Sequence, residues 1–228
     1  MPTAWAAAER LPCLSISTSR RIRVVSQSSE SSVTAIGSDD TCYCESRLAR
    51  WRVEPYVLGM SDIRESIISV KSALASKSDA GPAPDRPAVA MIEEGLRCRT
   101  EGADGWAVVT DMPAAVGGEG AAPTPGWLIR AALASCAATT IAMRAAELGL
   151  PLTRLEVTAE SETDMRGILG VGEGVEPGPV SARLRVRLAA EGGDEQRLEE
   201  LVEWADSHSP VGDCVRRAVP VELEITAA

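Results

Sequence analysis

Histidine is nearly absent from this 228-residue chain. His208 is the only one, so a metal centre built from clustered imidazoles is excluded. Phenylalanine is missing altogether, and five tryptophans and two tyrosines offer too few platforms for stacking bases. The chain also lacks a long Lys/Arg block, and its net charge of -10 repels phosphate, which argues against nucleic acid as a partner. The longest uncharged stretch of the most apolar helix candidate, Ala131 to Met143, has 13 residues. Spanning a bilayer takes roughly 20, so no membrane partner is expected. What remains is a hydrophobic fraction of 45%, almost all aliphatic, enough for one soluble globular domain with an appendage. Nothing in the composition demands an oxidising compartment, so the expected location is cytoplasmic.

The two ends of the chain differ. Residues 1–59 hold seven arginines against six acidic residues, ten serines and three of the six cysteines, which leaves the whole acidic excess to the remainder. No apolar core follows a basic start there, as a signal peptide requires, and the acidic residues argue against a transit peptide. The segment reads as a disordered or non-native leader, with Met60 as the expected native start. Cys42-Tyr43-Cys44 lacks the second ligand pair that a zinc site needs, so no metal is assigned and no cofactor is expected.

From Met60 the pattern sharpens. Asp62 and Glu65 form a capping-box-like start, and Ile63, Ile67, Val70 and Leu74 recur at helical spacing, so a short amphipathic helix runs from Asp62 to Ser76. A Pro/Gly/Asp linker completes residues 60–87, and residues 88–228 form the main domain. Strands are expected over Ala88 to Thr100 and Gly105 to Asp111, joined by a turn containing Asp104-Gly105. Thr124 as N-cap, Pro125 at N1 and Gly149 past the end bound a long, Ala-rich helix. Leu128, Ala132, Cys136, Thr139, Thr140 and Met143 share one of its faces, and it reads as central and buried.

Two long strands follow. Leu155, Val157 and Ala159 alternate with Glu156, Thr158 and Glu160, and Ala182, Leu184, Val186 and Leu188 alternate with Arg183, Arg185 and Arg187. An acidic face beside a basic one predicts antiparallel partners with complementary cross-strand charges. A Gly-rich connection joins them. Asp194 to Asp206 is a helix, a short helix starts at Ser209-Pro210, and Val219 to Ile225 reads as a final strand. Strands and helices segregated in this order mean an α+β fold.

Cys136, midway along the Ala-rich helix, has two readings: a small apolar core residue, or a reactive thiol. It lies several turns from the helix N-terminus, so the dipole cannot activate it, and a cation must come from elsewhere. Arg97 and Arg99, on one face of the first strand with Cys98 on the other, are candidates. His208 beside Ser209 suggests a base and nucleophile, but adjacent side chains rarely face each other and no G-x-S-x-G elbow is present.

Four blocks together resemble the OsmC/Ohr family of osmotically inducible and organic hydroperoxide resistance proteins. They are the run from Pro125 to Cys136 (PGWLIRAALASC), the run from Ala145 to Val157 (AAELGLPLTRLEV), and His208-Ser-Pro-Val211 with Arg217-Ala-Val-Pro-Val-Glu-Leu-Glu224. The resemblance implies an OsmC-like fold in which two chains intertwine as a homodimer around their central helices. It implies reduction of a small organic hydroperoxide by two cysteines, the first becoming a sulfenic acid and the second resolving it, with a dithiol as reductant. Cys136 matches the first cysteine. Ser209 stands where the resolving cysteine belongs, and Gly126 where the family has a glutamate. The site arginine is Arg97 or Arg99, with Arg97 preferred. Cys214, five positions after Ser209, is turned about 140° around its helix and advanced about 7.5 Å, so it replaces the resolver only if that helix moves. The alternative is a degenerate dimer that binds an apolar or thiol-reactive ligand without turnover.

Overall fold

In the computed structural model, which describes residues 60–77 and 81–227, Thr124 and Gly149 bound the longest helix as their residue types predict. The Thr124 side chain accepts the Trp127 amide at 3.2 Å, and Gly149 takes a left-handed conformation (φ 64°) whose amide closes the last turn. The leader, residues 1–59 with the Cys42-Tyr43-Cys44 pair, lies outside the described residues.

In chain order, helix α1 spans Met60–Ser76, strands β1, β2 and β3 span Ala88–Glu94, Arg97–Gly102 and Ala107–Thr110, and α2 spans Pro125–Leu148. Strand β4 (Leu152–Thr163), the single turn α3 (Met165–Ile168), strand β5 (Pro179–Ala190), α4 (Glu195–Ser207) and α5 (Pro210–Arg217) complete the set. The class is α+β, with a three-stranded antiparallel sheet β1-β2-β3 and a two-stranded one, β4-β5.

The predicted first strand is two strands. Gly95, at φ 54°, reverses the chain after Glu94, a conformation that favours glycine, so Ala88 pairs with Gly102 instead of extending toward it. The long hairpin follows the charge pattern. Glu156 faces Arg187 and Glu160 faces Arg183 in register, and ion pairs form from Arg187 to Glu156 at 3.1 Å and, diagonally, from Arg185 to Glu160 at 2.5 Å.

The apolar sides of β4 and β5 pack with α2 and α4 on a core of Ile141, Ala145, Leu150, Leu201 and Ala205. On α2 the buried stripe is therefore Leu133, Ala137, Ile141 and Ala145 at four-residue spacing, not the expected face through Cys136. That expectation needs correcting: in an Ala-rich helix apolarity is nearly uniform around the axis, and β4 and α4 cover only one side. By length and composition the 24-residue helix is apolar enough to cross a membrane, unlike its 13-residue uncharged stretch, but it is a core helix of this domain.

The expected last strand is also corrected. Residues 219–225 pair with no strand among the described residues and form no ladder. Ala218, left-handed at φ 52°, ends α5 and sends them outward, leaving Val221 at 92% exposure.

One carboxylate organises the approach to α2. Asp111, 2% exposed, accepts the amides of Met112 (2.7 Å), Ala121 (3.0 Å) and Glu119 (3.1 Å). These bonds, the Ala121 amide foremost, hold its carboxyl below its ordinary value of 3.8, with a smaller contribution from the Arg97 charge. Asp111→Ala orphans three amides and is expected to lower Tm and expose residues 112–121 to protease, Asp111→Asn falling between it and the parent. Because the folded pKa is depressed, the ionised clamp stabilises above the ordinary value and is lost as pH falls through the lower one. The Tm gap between parent and Asp111→Asn should therefore close only below about pH 4.

Candidate functional site

Cys136 is half-buried on the side of α2 turned away from the core, and it has a polar neighbour. Pro210 at the first position of α5 places Ser209 at the N-cap, where its Oγ accepts the Gly212 amide at 3.2 Å. The same hydroxyl donates to Cys136 Sγ at 3.2 Å. Ser209 is 3% exposed, so this contact sits at the sealed junction of α2 and α5. The position that the resemblance assigns to a resolving cysteine thus faces Cys136 directly, with a hydroxyl in place of a thiol.

Beside this contact opens a cavity of about 510 Å³. Ala132, Cys136, Thr139 and Met143 line it from α2, Trp204, Pro210 and Val211 from the α4–α5 corner, and Ile67 and Lys71 from α1. Pockets of about 300–1,000 Å³ lined mostly by apolar side chains hold small organic molecules.

A charged group closes the end distant from Cys136. Glu147 accepts from Lys71 and, at 2.7 Å, from Arg144 Nη1. Lys71 first and Arg144 second hold the Glu147 carboxyl below the usual carboxylate range. The Arg144 guanidinium lies 4.5 Å from the Trp204 ring centre and the Lys71 ammonium 5.9 Å from it, and Trp204 stacks on His208 at 3.9 Å. Lys71 is half-exposed, so its ion pair contributes about 1 kcal/mol or less. Arg144 Nε is buried without an acceptor among the described residues.

The other expected residues are elsewhere. Arg97 pairs with Glu93 at 3.1 Å and Arg99 with Glu101 at 2.6 Å on the β1–β3 sheet, and neither lines the cavity. Cys214 is exposed on α5 and does not line it either. Gly126, at the start of α2, is exposed, and an added Cβ there would meet only Thr124 Oγ1, at 3.9 Å. His208 Nδ1 lies 2.7 Å from the Trp204 carbonyl and 2.9 Å from Ser207 Oγ, and the Ser209 hydroxyl is committed to Cys136, so His208 and Ser209 do not pair. No group of three or more His, Cys, Asp or Glu suited to a metal occurs among the described residues.

Sequence reasoning missed Lys71, Arg144, Glu147 and Trp204. A signal existed for Glu147 alone, since eleven positions beyond Cys136 is three full helical turns.

Residues 118–224 match the family model described as OsmC-like protein. No curated protein matches the chain. Among solved structures, an OsmC like protein from Mycoplasma pneumoniae is similar over 59% of this chain and 89% of its own, at 12% identity and a TM-score of 0.50. A structure from Legionella pneumophila titled organic hydroperoxide resistance protein OsmC covers 60% and 92% at 24% identity and a TM-score of 0.43. The organic hydroperoxide resistance protein OhrB of Bacillus subtilis covers 63% and 98% at 21% identity and a TM-score of 0.40. The first of these shows the fold.

Proposed function

Since residues 118–224 carry the OsmC-like domain of the OsmC/Ohr family, we propose that the chain is a thiol-dependent organic hydroperoxide reductase with Cys136 as its peroxide-reacting cysteine. The observation that carries this reading is the placement of Cys136 Sγ on an apolar cavity, 3.2 Å from a buried hydroxyl at the family's resolving position. The Cys136 thiolate attacks the distal oxygen of R–O–O–H. The O–O bond breaks as the S–O bond forms, and a proton converts the departing alkoxide to alcohol. Cysteine is oxidised to sulfenic acid and the peroxide is reduced to R–OH.

Ser209 cannot complete the cycle, because oxygen forms no disulfide with the sulfenic sulfur. An external dithiol does so: one thiol displaces water to give a mixed disulfide, and the second releases Cys136 as thiol. The dithiol leaves as its own disulfide. The resolving step thus passes outside the chain, and Cys214 has no part in it.

The working unit in this reading is a homodimer whose domain, residues 88–228, includes the β1–β3 sheet. Met91 and Ile92 of that sheet are more than half exposed, as are Leu223 and Ile225 of the unpaired terminal segment. Exposed apolar side chains on a sheet and on an unpaired terminal segment are features that a second chain covers. The arginine that stabilises the thiolate, Arg97 in preference to Arg99, sits on the same sheet.

Cys136→Ser is expected to lower consumption of an alkyl hydroperoxide in the presence of a lipoyl-type dithiol by about 100-fold or more, and Cys214→Ser to leave it unchanged. Peroxide loss that persists in Cys136→Ser would end the thiol mechanism. No loss in the parent chain would leave the ligand-binding reading.

A further inference from the structure

We infer that helix α1, which lies outside the residues matched to the family, is a specificity wall of the Cys136 cavity, with Ile67 and Lys71 as the residues that set which organic molecules reach the sulfur. The inference rests on the proposal that Cys136 is the reacting thiol.

Both side chains line the same cavity as Cys136, on the side that α2 and the α4–α5 corner leave uncovered. They are one helical turn apart, so they present a single face to it. Ile67 is apolar and half-buried, and it narrows the space beside the Ala132 to Met143 stripe. Lys71 anchors the helix through Glu147 and by its approach to the Trp204 ring.

The attachment is shallow. Of the apolar stripe on α1 only Ile63 and Ile67 are half-buried, while Val70 and Leu74 are more than half exposed. A helix held by two isoleucines and one partly exposed ion pair shapes a cavity without contributing much to the core. Substitutions on α1 therefore reach the cavity with little effect on folding. The wall also explains why Arg144 and Glu147 meet a lysine there: the anchor compensates the one carboxylate on this side of α2, and Lys71 and Arg144 together leave that end of the cavity with one excess positive charge.

The test is alkylation of Cys136 in the full chain by a small reagent, iodoacetamide, and a bulky one, a pyrene maleimide, with modification at Cys136 read by peptide mass spectrometry. Exposed Cys214 serves as the internal reference. Ile67→Ala widens the cavity and Lys71→Glu repels Glu147. Each is expected to raise the bulky-to-small rate ratio at Cys136 about tenfold, and Ile67→Trp to lower it by a similar factor. Opposite signs at one position separate a wall from a general loss of stability, which would move every variant the same way. A ratio constant within about twofold across the three variants overturns the inference, as does a Cys136 that reacts with neither reagent in any of them. Alkylation needs no turnover, so a shifted ratio in a chain that consumes no peroxide would retire the peroxidase reading and leave the wall standing.

Discussion

Ser209→Cys is expected to convert Cys136 from a thiol that stops at sulfenic acid into half of a disulfide. The parent contact between Ser209 Oγ and Cys136 Sγ is 3.2 Å, and a disulfide bond is about 2.05 Å, so a sulfur introduced at position 209 needs to close by only about 1 Å. It starts from van der Waals contact, and the water leaving the sulfenic acid is the only departing group. Held in this geometry, the second thiol resolves the sulfenic acid at least about 100-fold faster than a millimolar external thiol, because encounter no longer limits the step. One equivalent of an alkyl hydroperoxide should then give the variant an intramolecular disulfide, seen as loss of both free thiols and a crosslinked peptide pair. The parent should give a trappable sulfenic acid on Cys136 alone. Sulfur caps α5 less well than the hydroxyl that accepts Gly212, so a cost of up to about 1 kcal/mol is expected alongside. Two free thiols persisting after oxidation would mean that residues 136 and 209 do not face each other in solution.

That contact marks how far the sequence reaches. The caps of α2 were legible because Thr124, Pro125 and Gly149 act locally, and the β4–β5 register was legible because Glu156 and Arg187 report their pairing by charge alone. The N-cap role of Ser209 was equally local. Its partnership with Cys136, 73 positions earlier, came from the family resemblance and not from any spacing. The remaining wall of the site was out of reach. Lys71, Trp204 and Arg144 sit on three helices, and no periodicity within one helix announces that their side chains meet.

Two misreadings have the same physical origin. The core face of α2 was misplaced because alanine makes all its faces similarly apolar, so the neighbours, β4 and α4, decide which side is buried. Val219 to Ile225 alternates as a strand should, but a strand exists only beside another, and this segment pairs with none of the strands among the described residues. Arg97 pairs with Glu93 on the β1–β3 sheet and does not line the cavity.

Ile141→Ala is expected to separate the two faces of α2. Ile141 is 1% exposed and packs in the cluster with Ala145, Leu150, Leu201 and Ala205. Truncating it removes buried methyl and methylene groups and leaves a cavity in a layer where β4, β5 and α4 are fixed by their own pairing, so little collapse is available. The expected loss is about 2–5 kcal/mol, set against a total stability of roughly 5–15 kcal/mol for a domain. It should be read as a lower urea midpoint with an unchanged slope. Cys136 is five residues earlier, turned about 140° around the helix, and its Ser209 contact lies on the far side from Ile141. Under conditions where the variant is fully folded, alkylation of Cys136 should therefore match the parent within about twofold, since only the core-facing side has changed. A stability change under about 1 kcal/mol would show that Ile141 is not in the core. Lost Cys136 reactivity in folded protein would show that the packed face and the reactive face are coupled through the helix.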